Sequence, residues 1–180
     1  MRIAVASFAC ALVLFVFGFL WWGILMGIVL PANVLNDDAL VSQLDDSLDE
    51  SGLYIYPDYA TQSEEPIKPW AILYFNKEAP EMGPMMGAGF LHMLVTAFFA
   101  SLVVDKLSLP SFPNRVVAVF CLGLFVAVWA DVGNAIWWRH PMPWTLFHFG
   151  YDVISWLLAG LVIASILKPC PKSPVSNPNA

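Results

Sequence analysis

Four titratable side chains lie inside apolar stretches of this sequence, where charged groups are costly. They are His92, Asp131, His148 and Asp152. A charge within a bilayer costs about 2.5–3.5 kcal/mol on insertion scales, so such side chains face the protein interior and find partners there. Asn134 lies one helical turn from Asp131 and extends its polar face. The sequence therefore predicts a buried polar cluster formed by these five residues.

Three kinds of chemistry fit such a cluster. Imidazole and carboxylate groups suit zinc or a related ion, and His92, Asp131, His148 and Asp152 are the metal candidates. The same groups can relay protons or bind a ligand. They can also form a network of hydrogen bonds and ion pairs that fixes the register of the helices. The sequence has no compact metal motif such as HExxH, and it leaves these interpretations open.

A further metal hypothesis concerns copper(I), a soft ion that thioether groups bind. Methionine at a membrane edge is also common packing material, and this is the alternative interpretation. The residues concerned, all expected on the outer face, are Met82, Met85, Met86, His140 and Met142.

Motifs of catalysis or cofactor binding are missing from the sequence. It contains no GxSxG motif, no glycine-rich phosphate loop and no CxxC or haem-attachment motif. Asp45, Asp46, Asp49 and Glu50 lack the alternating spacing and central glycine of an EF-hand loop, so we interpret them as the solvated face of a helix. No cofactor is expected. Whether the chain is an enzyme stays open, and the missing motifs favour a non-enzymatic role.

The composition is that of an integral membrane protein. Hydrophobic residues make up 59% of the 180 residues and charged residues 12%, against roughly 25% charged residues in soluble domains. The net charge of -6 belongs mainly to one segment, since 11 of the 14 acidic residues lie between Asp37 and Glu81. No dense basic patch is present, so nucleic acid is not an expected partner.

Apolar runs long enough to cross a bilayer as helices occur four times, which predicts an all-α, four-span membrane protein. We place the spans at residues 3–30, 85–104, 116–138 and 145–167.

The segment between the first two spans, residues 31–84, predicts a small extracytoplasmic α+β unit. Asn36 can cap an amphipathic helix at 37–50, and two β-rich runs at 53–56 and 71–75 predict strands. The proline-rich tail at 168–180 is predicted to be disordered.

The depth of the polar residues follows from a tryptophan-rich turn. Trp137, Trp138 and Trp144 bracket the sequence RHPMP, and tryptophan favours the membrane interface. Asp131 comes seven residues before Trp138 and Asp152 eight residues after Trp144, so both lie about 10 Å below the interface. His92 has a similar depth on the second span. The cluster is therefore expected in one outer-leaflet layer beneath the loop.

The distribution of lysine and arginine predicts cytoplasmic termini in an inner (plasma) membrane. Three basic residues fall on the outer side, Lys68, Lys77 and Arg139. Five fall on the inner side, and they are Arg2, Lys106, Arg115, Lys168 and Lys172.

The order of several short motifs resembles a group of small, uncharacterised bacterial four-helix membrane proteins with no assigned activity. These motifs are FVFG in the first span, SGLYIYP, EMGP, then WTL and SWLLAGLVIA in the last span, and the likeness covers most of residues 10–165. The resemblance implies a four-span fold. In that group the place of His148 tends to hold an acidic residue and that of Asp152 an amide, which suits a hydrogen-bond network better than a fixed set of metal ligands.

The leading functional hypothesis is a non-enzymatic accessory or interaction protein. Its partners would be the lipid bilayer, a protein bound through the extracytoplasmic loop, and a second copy of the chain through Gly23 and Gly27 in a GxxxG pattern. The alternative is a small transporter or metal-handling protein that uses the His/Asp cluster.

Overall fold

The computed structural model describes residues 1–30, 38–57 and 71–168, and within them four helices are long and apolar enough to cross a membrane. A fifth, short helix and a two-stranded sheet separate the first two. The prediction of four such helices with a small sheet is therefore confirmed. In chain order the elements are α1 (Arg2–Val29), α2 (Asp38–Ser47), β1 (Gly52–Tyr56), β2 (Ala71–Phe75), α3 (Met82–Leu107), α4 (Phe112–Trp137) and α5 (Met142–Ile166).

Three of the long helices begin three or four residues before the predicted spans because proline is accommodated in their first turns. Pro84, Pro113 and Pro143 were expected to precede the helices, but they lie in the first turns of α3, α4 and α5. The first backbone N–H groups of a helix have no intrahelical acceptor, so proline loses nothing there. Ser111 caps α4, since its Oγ accepts a hydrogen bond of 3.2 Å from the Asn114 amide.

Residues 33–85 form a compact unit of their own, in which α2 and the hairpin lie. The strands pair antiparallel, with Leu53 opposite Tyr74 and Ile55 opposite Ile72. Lys77 joins the hairpin to α2, because its ammonium group lies 3.2 Å from the Asp45 carboxylate and donates to the Asp45 carbonyl at 2.7 Å. The predicted cap Asn36, most of the connection between the strands and the tail from residue 169 onward lie outside the described residues.

The long helices run antiparallel between two ends of a bundle. We call the end with residues 138–141 the Trp end and the end with Met1 and Leu167 the terminal end. Helices α4 and α5 make the closest pair, because glycines remove the side chains between them. A Cβ atom on Gly123 would overlap Trp156, and one on Gly160 would lie 3.0 Å from the Val116 carbonyl oxygen. Such small residues allow helix backbones to approach in a membrane.

Helix α3 packs differently, through larger side chains and mainly against α1. The Phe90 ring meets Phe8 and Phe15 edge to face, with centroids 6.0 and 5.6 Å away. Ala97 and Ala100 of α3 are buried in the common core. Among the described residues the backbone of α3 has no extended close approach to α1, α4 or α5. Space therefore remains between α3 and the α4–α5 pair.

Arg115 fastens the terminal end of the bundle. Its side chain is only 5% exposed. The guanidinium group donates to the carbonyl of Ala164 at 3.3 and 3.4 Å, in the last turn of α5, and to that of Leu109 at 3.0 Å. Carbonyls in the last turn of a helix have no intrahelical donor. A cation there is also attracted to the negative end of the helix dipole, which stabilises the helix. Arg115 thus ties the α3–α4 turn to the end of α5.

We expect the variant Gly123→Ala to lower the free energy of unfolding by about 1–3 kcal/mol, because the added methyl group overpacks the contact with Trp156. Gly133→Ala is the matched control on the same helix, since no atom lies within 4 Å of its Cβ position. Thermal unfolding in a mild detergent would measure both. Equal effects of the two substitutions would contradict the close α4–α5 contact.

Removal of the Arg115 side chain as Arg115→Met is expected to cost roughly 2 kcal/mol, because buried carbonyls lose a charged donor. Lys106→Met removes the same charge from an exposed position near the same end and should cost little. The comparison of their melting temperatures isolates the hydrogen bonds from the change in charge. A loss of stability in Lys106→Met as large as that in Arg115→Met would refute the anchoring role.

Candidate functional site

Asp131 lies in a π-helical turn of α4, Val128–Val132, which packs against α5. A π turn adds a residue to the helical repeat and redirects side chains, and such turns are frequent at functional sites. The Asp131 side chain is 9% exposed, and its Oδ2 has no hydrogen-bond partner within the described ranges. Because an unpartnered buried polar atom costs about 1–3 kcal/mol, the stability of the fold does not explain this carboxylate.

Asp152 of α5 is half-buried. It lies on the helix that packs against the π turn of Asp131, so neighbouring helices of an apolar bundle each carry a carboxylate. Neither carboxylate has an ion-pair partner in the part of the chain that the structure describes, where the ion pair found joins Lys77 to Asp45. His92 of α3 and Asp152 of α5 line one cavity from different helices, but His92 is exposed and Asp152 is half-buried, whereas both were predicted to be buried.

The cavity has a volume of about 670 Å³ and occupies the space between α3 and the α4–α5 pair. The exposed fractions of Phe99 and Phe125 at its rim are 59% and 67%, so it opens sideways between α3 and α4. We call it the lateral groove. Its lining residues are Leu14, His92, Met93, Thr96, Ala97, Phe99, Ala100, Val103, Leu122, Phe125, Val126, Tyr151, Asp152, Ser155, Trp156 and Ala159.

The polarity of the lateral groove changes along the bundle axis. Its polar residues gather nearer the Trp end, and they are His92, Thr96, Tyr151, Asp152 and Ser155. Toward the terminal end the lining is apolar, with Val103 on α3 and Ala159 on α5. From His92 to Val103 the helix rises about 16 Å, at 1.5 Å per residue. The groove can therefore hold an elongated molecule with a polar head and an apolar body.

His148 is held between two indole rings and lies apart from the other imidazole on α3. Its ring centroid is 4.6 Å from that of Trp22 on α1 and 4.5 Å from that of Trp144. Trp22 belongs to a second π-helical turn, Trp21–Leu25. Tyr151 stacks on Phe17 at 5.7 Å, so aromatic rings fill the α1–α5 contact at this end. His148 is a packed aromatic residue whose Nε2 has no hydrogen-bond partner among the described residues.

The five predicted cluster residues do not share one network. In the described segments no hydrogen bond or ion pair joins the side chains of any two of them. Asp131 lies in the π turn that packs against α5, His92 and Asp152 line the groove, and His148 packs against Trp22 of α1. Asn134 is half-buried, and its backbone carbonyl accepts the amide of Trp138 at 3.0 Å, which ends α4.

The metal candidates do not converge. No group of three or more His, Cys, Asp or Glu side chains able to hold a metal ion occurs in the described ranges, which contain His92, Asp131, His148 and Asp152. We therefore propose no metal at this site. The copper(I) hypothesis stays a prediction.

The tryptophans expected at the interface divide into two kinds. Trp137 and Trp138 are exposed to 76% and 42%, as interface residues would be, whereas Trp144 packs on His148. Sequence reasoning missed Trp22 as the second ring beside His148, and it missed Tyr151 and Phe125 as groove residues. A signal existed for Trp22 alone, since an indole inside an apolar span needs a partner for its N–H.

The described residues thus form four helices long and apolar enough for a multi-pass membrane protein, with a groove of ligand size beside them. Comparison of the chain with protein-family models, with curated proteins and with solved structures finds no match. The resemblance to small bacterial four-helix membrane proteins stays a prediction.

The variant Asp131→Asn is expected to raise the free energy of unfolding at neutral pH by roughly 1–3 kcal/mol, because it removes a buried charge that has no partner. Asp105→Asn, at an exposed position on α3, is the control and should change nothing. Thermal unfolding in detergent gives the comparison. If Asp131→Asn lowers stability, the carboxylate is a structural partner in a helix–helix network.

Proposed function

We propose that this chain is a non-enzymatic membrane protein that binds a lipid-soluble molecule in the lateral groove. The single observation that carries the proposal is the groove itself, about 670 Å³ and open toward the side that lipid would occupy. Pockets for small molecules span about 300–1,000 Å³ and are mostly apolar with a few placed polar groups. The small transporter suggested as an alternative would use the same groove.

We also propose an orientation of the bundle in the membrane. We place the Trp end at the outer face of a bacterial inner membrane and both termini in the cytoplasm. The distribution of basic residues supports this, since Arg2 and Arg115 lie near the terminal end. A ligand would then enter from the membrane between α3 and α4, with its polar end in the outer leaflet.

The packing at the rim supports access from the membrane. Phe99, Phe125 and Val126 line the groove and are also exposed on the outer surface of the bundle. By contrast, Gly123 and Trp156 close the space between α4 and α5 behind it. An apolar molecule can thus reach the groove without crossing a water-filled path.

Filling the rim as Val126→Trp should weaken ligand binding at least about tenfold, because an indole occupies part of the cavity. Val117→Trp is the matched control, since Val117 is an exposed valine of α4 outside the groove. Native mass spectrometry of the two variants and the wild type, purified identically, would count retained lipid-like adducts. Equal retention by all three proteins would contradict binding in the groove.

A second candidate function, protein interaction through residues 33–85, is favoured by an exposed cross-strand pair. Leu53 and Tyr74 lie opposite each other and are 48% and 72% exposed. A two-stranded hairpin is marginal alone and gains from covering such a surface.

We expect the double substitution Leu53→Ser and Tyr74→Ser to remove specific partners from a crosslinked pull-down, because the apolar patch is lost. Val41→Ser changes an exposed residue of α2 in the same unit and serves as the control. Identical partner sets for the wild type and the double variant would rule out this surface.

A further inference from the structure

We infer that the lateral groove selects a molecule with an ammonium head and an apolar chain, the head lying at Asp152 and the chain along Phe99, Val103 and Leu122. This inference rests on the proposed function and names the class of ligand. It follows from the charges around the groove, the aromatic rings beside Asp152 and the length of the apolar lining.

The carboxylate at the polar end of the groove has no ion-pair partner among the described residues. Asp152 lines the groove, whereas Asp131 lies outside its lining and within electrostatic range of His140. An ionised carboxylate in an apolar bundle needs a cation close by, because attraction in water-poor surroundings must replace its hydration. A ligand that carries a positive charge would supply what the described part of the chain does not.

Among the described residues, His92 is the basic side chain that lines the groove, and His140 lies within electrostatic range of Asp131 outside that lining. The Arg115 guanidinium is occupied by carbonyl oxygens at the terminal end. His148 packs against the indoles of Trp22 and Trp144, and Arg139 is exposed in the turn after α4. His92 lines the groove from α3, and an imidazole ring nitrogen can accept a hydrogen bond from an N–H donor. His92 thus adds to the recognition of an ammonium head.

The rings that line the groove suit a cation as well. Tyr151 and Trp156 flank Asp152 along α5, and Phe125 lines the groove from α4. An ammonium group is attracted to the face of an aromatic ring, and the attraction is stronger when both are desolvated. A carboxylate beside aromatic rings is therefore a better environment for an ammonium group than for a neutral or anionic head.

The test uses dodecylammonium and its neutral counterpart dodecanol, added at equal concentrations to purified protein in a maltoside detergent. Native mass spectrometry counts the bound molecules. We expect the ammonium compound to bind at least about tenfold more tightly than the alcohol. The variant Asp152→Asn should lose this preference and keep the binding of dodecanol, whereas the control Asp105→Asn should bind both as the wild type does.

The outcomes separate the two proposals. If dodecylammonium and dodecanol bind the wild type equally, the cation inference is overturned and the groove remains a binding site. If neither binds, the proposed function fails as well. If Asp152→Asn does not fold, two other variants serve as the test. Asp152→Glu keeps the charge and must retain the preference for dodecylammonium over dodecanol, whereas Asp131→Asn must reduce that preference. The opposite result for either variant overturns the inference.

A separate measurement distinguishes a bilayer lipid from a free amphiphile. Lipids extracted with the wild type and with Asp152→Asn are compared with the bulk membrane. Enrichment of aminophospholipid with the wild type alone identifies the bilayer as the source. Binding of dodecylammonium without such enrichment identifies a free lipophilic amine.

Discussion

Placing an ionised carboxylate among apolar helices costs free energy, and this cost governs the arrangement of the bundle around Asp131 and Asp152. Asp131 is buried with an unpartnered oxygen, and Asp152 stands near it without a cation from the described chain. A fold selected for stability alone would place apolar side chains at both positions. The bundle instead gives Asp152 access to the lateral groove and places Asp131 in the π turn that packs against the same helix. This arrangement is typical of a site whose partner comes from outside the chain.

The groove arises from a difference in how the helices pack. Glycines bring α4 and α5 into close contact, while the phenylalanine contacts of Phe90 keep α3 at a greater distance on α1. Lipid tails are as apolar as the helix surfaces, so the hydrophobic effect does not close such a gap inside a membrane. The space persists where side-chain shape prevents contact. The same residues that hold the bundle together therefore shape the site.

Much of the fold was predictable from the sequence, and the site was predictable only in part. Four apolar runs and two β-rich runs identified the helices and the sheet, because length and hydropathy are local properties. Depth counted from Trp138 and Trp144 for the aspartates, and from Pro84 for His92, predicted a shared layer, and His92 and Asp152 do line one groove. Rotation and separation of helices are not local. The sequence therefore did not reveal that His148 points to Trp22, that α3 stands apart, or that π turns occur at Trp21–Leu25 and Val128–Val132.

Electron cryomicroscopy of the protein in lipid nanodiscs, with a bound antibody fragment, would show directly whether a ligand occupies the lateral groove. We expect α3 to remain separated from α4 at Phe125. We also expect an elongated density in the groove, with its head against the Asp152 carboxylate. A bilayer structure in which α3 packs directly on α4, with Asp152 enclosed by protein atoms and the groove absent, would contradict both expectations.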